Sequence, residues 1–444
     1  MAKILEMKEN WIGILLILLF LASTALLILF LQNRGRLSPE WSRKLLHISS
    51  GLASLSFPFI FTQNWPVFVI SGGGIIFVLC VKKISSLKKS IGKITGSVSR
   101  KSEGEIFFPI GTAVLFWLSK GNTVLYIIPL LILTFADTAA ALIGIFYGTF
   151  KYDATGGKKS MEGSMAFFLT AFFSAHIPLL VFTNTGRIQT LLISALLGFF
   201  LMIVEAVSWD GIDNLFIPLA GFFLLKAFLQ MTLPGLAASL AATAFLAAAA
   251  LFLKRQSILN TGALMGAVLA AYLCWFIGGI QWILVLFIFF AAYLFLTPKS
   301  KEDWKHHYNV HSVLSTCGSG LLWLLLSSHF KHPDYLYPFT ASLSSQLAMI
   351  STARQIRTQS KLSLTGKIIL SILEGWLLML IPIFILRGSH TAAQLILSFV
   401  GTSASAAAFY FTQPDLEQYP EDTSRWMRQF LFGLLASLID FWAV

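Results

Sequence analysis

The chain has few of the residues on which soluble domains and disulfide-bonded proteins depend. Only 12% of its 444 residues are charged, and its 20 acidic residues are fewer than its 32 lysines and arginines. Its three cysteines, Cys80, Cys274 and Cys317, are isolated and show neither metal-ligand nor disulfide spacing. The composition therefore excludes an ordinary soluble domain, and we expect the cysteines to be packing residues.

Apolar residues are what the chain has in abundance. They make up 56% of it and give a mean hydropathy of +0.77. Runs of membrane-spanning length recur from Trp11 to the C-terminus, and they are too long and continuous for the strands of a membrane barrel. The sequence predicts an all-α, polytopic integral membrane helical bundle with about 15–16 transmembrane helices in two halves.

Basic residues are unevenly distributed among the loops between these runs. Alternate loops hold 25 of the 32 lysines and arginines, and the positive-inside rule places those loops in the cytoplasm. This predicts a bacterial-type inner-membrane protein with its N-terminus outside and Lys158 and Lys159 inside. Topology and attraction to anionic lipid explain the net charge of +12, so no nucleic-acid partner is expected. The basic loop 82–105 is expected to be a lipid-surface helix, or alternatively a flap over the site.

The two halves meet near Leu233-Pro234-Gly235. The acid-bearing membrane motifs lie before this point. After it the chain is rich in alanine, and Glu374 and Asp440 are its exceptional intramembrane acids. We expect a catalytic membrane domain at 1–233 and an accessory membrane domain without catalytic activity at 234–444.

Asp137 is the first candidate for chemistry, because it lies inside the apolar segment 123–149 among small residues. Charged groups inside a membrane are rare and usually face a working cavity. Gly144 and Gly148 continue a slim face that lets another helix or a ligand approach closely. Asp137 is therefore expected to contact Mg²⁺ or a substrate hydroxyl. The alternative is a buried aspartate that is hydrogen-bonded to a neighbouring helix.

A glycine- and lysine-rich stretch, 156–164, follows as a flexible, doubly basic turn. It is not a P-loop, because the spacing differs and no strand is expected before it. Glycines expose backbone N–H groups, lysines neutralise phosphate charge, and a serine caps the next helix with Glu162 in its first turn. The alternative is a lysine pair that only sets topology. The predicted nucleotide contacts of the turn are Gly157, Lys158, Lys159 and Ser160.

Four residues with oxygen-bearing side chains follow within ten positions, namely Glu205, Asp210, Asp213 and Asn214. They fall on the same predicted inner side as the lysine turn. Such side chains suit Mg²⁺, which is held by oxygens and shared with substrate phosphates. We predict a metal site here, with helix capping as the alternative for Asp210 and Asp213.

A basic motif, Arg43-Lys44-x-x-His47, opens the predicted segment 46–61. It is typical of interfacial anchoring, and it also suits a contact to phosphate. From the residues alone both interpretations stay open.

Within residues 34–230, these motifs together resemble the polyprenol kinase family, which includes phytol, farnesol and dolichol kinases and is related to phosphatidate cytidylyltransferases. The resemblance implies a multi-spanning enzyme that phosphorylates an isoprenoid alcohol with CTP and a divalent cation. It implies catalysis by Asp137, Lys159 and Glu162. The motifs that carry it are Arg43-Lys44-x-x-His47, Ala136-Asp137-Thr138-Ala139-Ala140, Gly157-Lys158-Lys159-Ser160-x-Glu162-Gly163-Ser164 and Glu205 with Asp213-Asn214-x-x-x-Pro218.

The second half is similar, from Gly262 to Ser319, to the start of another membrane family that includes phytyl-phosphate kinases. That family expects an Ala-Asp-Thr-Trp-Ala-x-Glu-like run. The matching stretch here places Met349 and Arg354 where the acids are expected. The resemblance implies that metal-binding chemistry is lost and that this half is structural or regulatory.

The resulting hypothesis is CTP-dependent phosphorylation of an isoprenoid alcohol, of the phytol, farnesol or geranylgeraniol type, at the cytoplasmic membrane face. Mg²⁺ is the expected cofactor, and the expected partners are the alcohol, a nucleoside triphosphate and membrane lipid. A lipid-phosphate cytidylyltransferase is one alternative. A transporter or flippase, with Asp137 as a coupling acid, is another. The chain length of the alcohol and the oligomeric state do not follow from the sequence.

Overall fold

The computed structural model describes residues 2–84, 103–154, 157–254, 259–297, 308–357, 362–387, 391–414, 416 and 423–442. The predicted lipid-surface helix at 82–105 falls mostly outside these residues. The chain divides into two compact units, Met1–Leu240 (unit 1) and Ala241–Val444 (unit 2).

Unit 1 is a helical bundle with one short β-hairpin. A π-helical turn, Ile132–Ala136, joins two of its helices without a break. Its elements are α1 (Ala2–Asn33), α2 (Pro39–Leu55), α3 (Phe57–Ile60), α4 (Trp65–Lys83), α5 (Gly104–Ser119), α6 (Thr123–Leu131), α7 (Asp137–Phe146), β1 (Lys151–Ala154), β2 (Gly157–Ser160), α8 (Met161–Phe182), α9 (Arg187–Val207), α10 (Asp213–Leu229) and the start of α11 (Leu233–Leu253).

Unit 2 is helical in all of its described elements apart from an isolated bridge between Leu259 and Tyr308. After the end of α11 it comprises α12 (Thr261–Leu273), a π-helical turn (Cys274–Gly278), α13 (Ile280–Leu296), α14 (Val310–Phe330), a 3₁₀ turn (Pro333–Tyr335), α15 (Leu336–Arg357), α16 (Leu364–Arg387), α17 (Ala392–Thr412) and α18 (Thr423–Phe441).

Ten helices in the described ranges are long and apolar enough to cross a membrane, and α5 and α13 are shorter apolar helices. The prediction of an all-α polytopic membrane protein is confirmed. The predicted number of about 15–16 crossings is larger than this count. One reason is α15, which carries buried hydroxyl and amide side chains such as Ser344, Ser345 and Gln346 and is surrounded by other helices of unit 2.

The packing of α7 against α8 depends on residues without bulk. A Cβ on Gly148 would lie 2.7 Å from Oγ of Ser160, and a Cβ on Gly163 would lie 2.8 Å from the backbone O of Ala140. Neither contact leaves room for a side chain. The predicted slim face therefore brings the helix of Asp137 close to the start of α8.

The prediction of a flexible turn without a preceding strand is wrong. Residues 151–154 and 157–160 pair as an antiparallel hairpin in which Tyr152 faces Lys159 and Asp153 faces Lys158. Side chains on a strand alternate between its two faces. Tyr152 is buried and Lys159 half-buried, whereas Asp153 and Lys158 are exposed. The hairpin thus holds one of the two lysines against the helices.

Candidate active site

Lys44 and Asp137 form a buried ion pair in unit 1. Nζ of Lys44 donates to Oδ2 of Asp137 at 2.7 Å and to the backbone O of Asp137 at 3.3 Å. Lys44, on α2, is only 2% exposed, and Asp137 is the first residue of α7. Since an unpaired charge is costly away from water, each residue stabilises the ionised form of the other. The pair joins positions 93 residues apart.

His47 approaches the same carboxylate from the next turn of α2. Its Nε2 lies 3.6 Å from Oδ2 of Asp137 and 3.2 Å from the backbone O of Leu133, and its ring packs edge-on against Phe108. Leu133 belongs to the π-helical turn before α7, an irregularity that is frequent at functional sites. Lys44 and His47 therefore both face the carboxylate of Asp137. Anchoring at the membrane interface does not explain these contacts.

A second ion pair joins the hairpin to α9. Nζ of Lys159 donates to Oε1 of Glu205 at 2.7 Å and also to the backbone O of Glu205. Glu205 is 9% exposed and lies in the last turn of α9. This contact fixes the hairpin over the end of the helix, and the ammonium of Lys159 is held beside the carboxylate rather than in solvent.

Asp213 and Asn214 form the N-terminus of α10. Oδ1 of Asp213 accepts hydrogen bonds from the backbone N of Asn214 at 3.1 Å and from its Nδ2 at 3.3 Å. Nδ2 of Asn214 also donates to the backbone O of Gly211 at 3.1 Å. The Oδ1 of Asn214 is buried and accepts no hydrogen bond from the described residues. A buried acceptor without a donor is costly, so this oxygen is suited to a ligand.

The two ion pairs act electrostatically on Asp213, which lies outside the ten membrane-length helices. Burial raises the pKa of Asp213 to about 6, and the negative charges of Asp137 and Glu205 act in the same direction. The ammoniums of Lys159 and Lys44 oppose them. Both ion pairs therefore lie within electrostatic range of Asp213.

Close helix packing sets the position of Asn214. A Cβ on Gly111 of α5 would lie 2.6 Å from the backbone O of Asn214 and 3.3 Å from Cα of Leu215. Only glycine permits this approach of α5 to the first turn of α10. The glycine thereby fixes the depth at which the Asp213–Asn214 turn sits in the bundle.

Glu162 lies in the first turn of α8, directly after the hairpin. Its Oε1 accepts hydrogen bonds from the backbone N of Thr149 at 3.0 Å, from the backbone N of Phe150 at 3.1 Å and from the hydroxyl of Thr149. These bonds hold the chain as it enters the hairpin. The structure thus gives Glu162, which the family resemblance makes catalytic, contacts that position the hairpin.

The remaining predicted site residues take no part in the two ion pairs. Arg43 is 38% exposed and pairs with Glu40 at 3.2 Å. Asp210 is exposed in a left-handed turn (φ +48°), and its backbone O accepts a hydrogen bond from the backbone N of Glu103 at 2.7 Å. Gly157 and Lys158 are exposed on the hairpin. Ser160 caps α8, accepting from the backbone N of Gly163 at 3.1 Å, as predicted.

Tyr152 is a site residue that the sequence interpretation missed. Its hydroxyl lies 2.7 Å from Oγ of Ser164 in a buried contact, and it pairs across the hairpin with Lys159. Burial raises the pKa of Tyr152 to about 12; the bond with Ser164 opposes this rise and the charge of Glu205 adds to it. The alternation of charged residues with tyrosine and alanine in residues 151–154 is the sequence signal that could have revealed it.

The residues present fit a magnesium ion only in part. Among the described residues, no group of three or more His, Cys, Asp and Glu side chains lies close enough to hold a metal. The predicted set is therefore reduced, since Glu205 is paired with Lys159 and Asp210 is exposed. Asp213 and the orphaned Oδ1 of Asn214 remain. One carboxylate and one carbonyl oxygen suit Mg²⁺ that takes its other ligands from phosphates and water.

Three curated proteins with similar sequences are named phytol kinase or probable phytol kinase. The phytol kinase of Synechocystis is 29% identical over 212 residues, which are 47% of this chain and 88% of that protein. Probable chloroplastic phytol kinases of Glycine max and Zea mays are 25% identical over 203 and 214 residues, which cover 43% of this chain and 66% and 67% of theirs. No family model and no solved structure matches. For part of the chain, the resemblance to the polyprenol kinase family is confirmed.

Proposed function

We propose that unit 1 is a kinase that transfers the terminal phosphoryl group of a nucleoside triphosphate, CTP in particular, to an isoprenoid alcohol such as phytol. The observation that carries this proposal is the two ion pairs of unit 1, Lys44 with Asp137 and Lys159 with Glu205, both of which act electrostatically on Asp213. The names of the relatives supply the class of acceptor. The charge bias of the loops supports a site at the cytoplasmic face of a bacterial-type inner membrane.

The surroundings of Asp137 suit the acceptor alcohol. Lys44 holds the carboxylate, which opens a stretch of small residues inside an apolar segment. A carboxylate held in this way can accept a hydrogen bond from a hydroxyl and aim its oxygen at the phosphorus. Phosphoryl transfer through a loose transition state depends mainly on such positioning and on charge stabilisation.

Lys159 suits the nucleotide. It lies on a hairpin that exposes Gly157 and Lys158 beside it. A bound triphosphate can accept hydrogen bonds from its ammonium in exchange for those of Glu205. Mg²⁺, when bound at Asp213 and Asn214, would neutralise phosphate charge. In the reaction the alcohol oxygen bonds to the γ-phosphorus, the bond to the β-phosphate oxygen breaks, and CDP leaves with the electron pair. The hydroxyl proton passes to Asp137 or to the phosphate.

Product analysis tests this proposal. The purified full chain would be incubated with Mg²⁺, phytol, farnesol or geranylgeraniol, and each of the four nucleoside triphosphates. We expect a phosphorylated alcohol and an equal amount of nucleoside diphosphate, most rapidly with CTP. Release of pyrophosphate in the presence of a lipid phosphate would indicate a cytidylyltransferase instead. Absence of any phosphorylated alcohol with all four nucleotides would refute the kinase.

A further inference from the structure

Unit 2 contains a cavity of about 560 Å³ that the proposed function of unit 1 does not use. Helices α11 to α15 and α18 form its walls, and most of the lining is apolar, with side chains such as Leu246, Val268, Phe287 and Phe290. Volumes of roughly 300–1,000 Å³ are those in which proteins enclose small ligands. The cavity therefore has the size and the walls to hold an apolar chain.

One end of the cavity carries a buried cation. Arg425, in the first turn of α18, is 2% exposed and lines the cavity. Its Nε and Nη1 are buried and make no hydrogen bond to the described residues. Its guanidinium lies 5.7 Å from the ring centre of Phe409 and 5.5 Å from that of Trp426. Aromatic faces offset part of the cost of burying a cation, but they satisfy none of its N–H groups.

Two neighbours of Arg425 on α18 also present unsatisfied groups to the cavity. Nε1 of Trp426 and Oε1 of Gln429 are buried without a partner among the described residues. Arg425 and Gln429 are four positions apart and so lie on one face of the helix. Three donor nitrogens and one acceptor oxygen thus line the cavity where the described residues supply no partner for them. Such a set of unsatisfied atoms indicates a polar ligand group.

The charge of this end is positive. Arg354 and Arg357, in the last turns of α15, also line the cavity. Arg354 donates to both oxygens of Glu374, at 3.0 and 3.1 Å, so this pair is neutral overall. Arg425 has no acidic partner among the ion pairs of the described residues, so its charge sets the sign of this end. No aspartate or glutamate is among the described residues that line the cavity. The complementary head group is an anion.

We propose that this cavity binds the phosphate head group of a lipid together with part of its apolar chain. The N–H groups of a guanidinium match two oxygens of a phosphate, and the indole of Trp426 adds a donor for a third. Two sources share this chemistry, an anionic phospholipid of the surrounding membrane and a single-chain lipid phosphate. The site does not depend on the proposed kinase activity of unit 1.

Native mass spectrometry of the purified full chain tests this site. The added lipids are phosphatidylglycerol, dodecyl phosphate, dioleoylglycerol and dodecanol, and inorganic phosphate is added alone. We expect saturable binding of phosphatidylglycerol, dodecyl phosphate or both, which identifies the source, and at least ~10-fold weaker binding of the two neutral lipids and of phosphate alone. Equal binding of dodecanol and dodecyl phosphate, with equal binding of dioleoylglycerol and phosphatidylglycerol, would overturn the proposal.

Variants locate the bound lipid. Arg425→Gln is expected to weaken binding of the phosphate lipid by ~10-fold or more, because the charged donor is lost. Arg428→Gln is the matched control, since Arg428 lies on the same helix, does not line the cavity and donates instead to Gln413 at 2.9 Å. The Arg428→Gln variant should bind the phosphate lipid as strongly as the unmodified chain does. Equal loss in both variants, or loss in neither, contradicts the assignment.

A smaller change covers the case in which Arg425→Gln fails to fold. Trp426→Phe keeps an aromatic ring and removes only the Nε1–H donor. We expect it to weaken binding of the phosphate lipid by several-fold and to leave binding of dodecanol unchanged. Unchanged binding of the phosphate lipid by Trp426→Phe, together with failure of Arg425→Gln to fold, would count against the site.

Discussion

The two units differ in how they accommodate buried charge. In unit 1, Lys44 pairs with Asp137 and Lys159 with Glu205, and a third acid, Asp213, has no lysine of its own among the ion pairs of the described residues. In unit 2, Glu374 is paired with Arg354, and the buried Arg425 lies at an apolar cavity. A third acid beside two paired lysines favours a site for a metal cation with phosphates. A buried arginine with unsatisfied N–H groups favours an anion.

The same contrast bears on the resemblance of unit 2 to the family of phytyl-phosphate kinases, which remains a prediction. Met349, at a position where that family expects an acid, is fully buried in an apolar cluster with Ala353 and Phe409. Arg354, at the other position, bonds to Glu374. Neither position supplies an acidic ligand for a metal. Unit 2 is therefore expected to contribute no phosphoryl transfer of its own.

The largest effect is expected from Asp213→Asn, which removes one of the acidic charges of unit 1. We expect nucleotide binding and turnover of the alcohol to fall by ~100-fold or more, because one of the two residues proposed to bind the metal loses its charge. Asp210→Asn, at an exposed turn three positions earlier, is the matched control. Its nucleotide binding and turnover should fall by less than ~5-fold. Binding of CTP in the presence of Mg²⁺ and initial rates would be measured. Similar losses in both variants would contradict the reduced metal set.

A second large effect is expected from Lys159→Met, which keeps the bulk of the side chain but removes its charge. Loss of a charged phosphate contact should raise the KM for CTP by ~10–100-fold. It also leaves Glu205 buried without a partner, so the melting temperature should fall as well. Lys151→Ala, at an exposed position of the same hairpin, controls for a general effect on the hairpin. An unchanged KM for CTP in Lys159→Met would remove this lysine from the nucleotide site.

The pH dependence should show the raised pKa of Asp213. With a folded-state pKa of about 6, Asp213 is ionised above that pH, and kcat/KM for CTP should fall as the pH drops through it. For stability the sign is opposite, because a raised carboxyl pKa means that the folded state binds more protons than the unfolded state between the two pKa values. This group therefore lowers the free energy of unfolding as the pH rises toward about 6.

The effect of added Mg²⁺ and CTP on the melting temperature gives a second test of the raised pKa of Asp213. Mg²⁺ and CTP together should raise the melting temperature more at pH 7.5 than at pH 5, since a cation relieves the cost of the ionised Asp213. Thermal melts and initial rates at both pH values would be recorded for the unmodified chain and for Asp213→Asn. A rise in melting temperature that is equal at both pH values would show that Asp213 is not the group that binds.

The smallest effect on catalysis is expected in unit 2. Glu374→Gln breaks the charge pairing with Arg354 and should destabilise the chain by about 1 kcal/mol, because a half-buried charge loses one ionic partner. Kinase activity at a temperature well below the melting point should stay within ~2-fold of the unmodified chain. Melting curves and initial rates check both points. A large loss of activity without a loss of stability would place unit 2 in the catalytic machinery.

The sequence predicted which residues could form a site, but not the contacts between them. Asp137 and Asp213 were identifiable because acids are rare within apolar segments. That Lys44 is the partner of Asp137 could not be predicted, because residue spacing does not specify which helices are neighbours across 93 positions. The roles of Lys158 and Lys159 were also not separable until the hairpin placed them on opposite faces.

For the fold as well, some features could be predicted from the sequence and others could not. The composition predicted a helical membrane bundle because long apolar runs permit little else. The hairpin was missed because its four-residue strands contain few apolar or β-branched side chains, and buried contacts of Tyr152 and Lys159 stabilise it instead. The number of crossings, about 15–16, remains a prediction, because apolar content alone does not separate a helix in lipid from one enclosed by other helices, as α15 is.

The central claim is that unit 1 phosphorylates an isoprenoid alcohol at Asp137, and transfer of labelled γ-phosphate from CTP to phytol tests it most directly. The unmodified full chain, Asp137→Asn and the exposed control Asp153→Asn would be assayed with Mg²⁺. We predict labelled phytyl phosphate from the unmodified chain and from Asp153→Asn, and at least ~100-fold less from Asp137→Asn with CTP binding retained. Full transfer by Asp137→Asn would contradict the account.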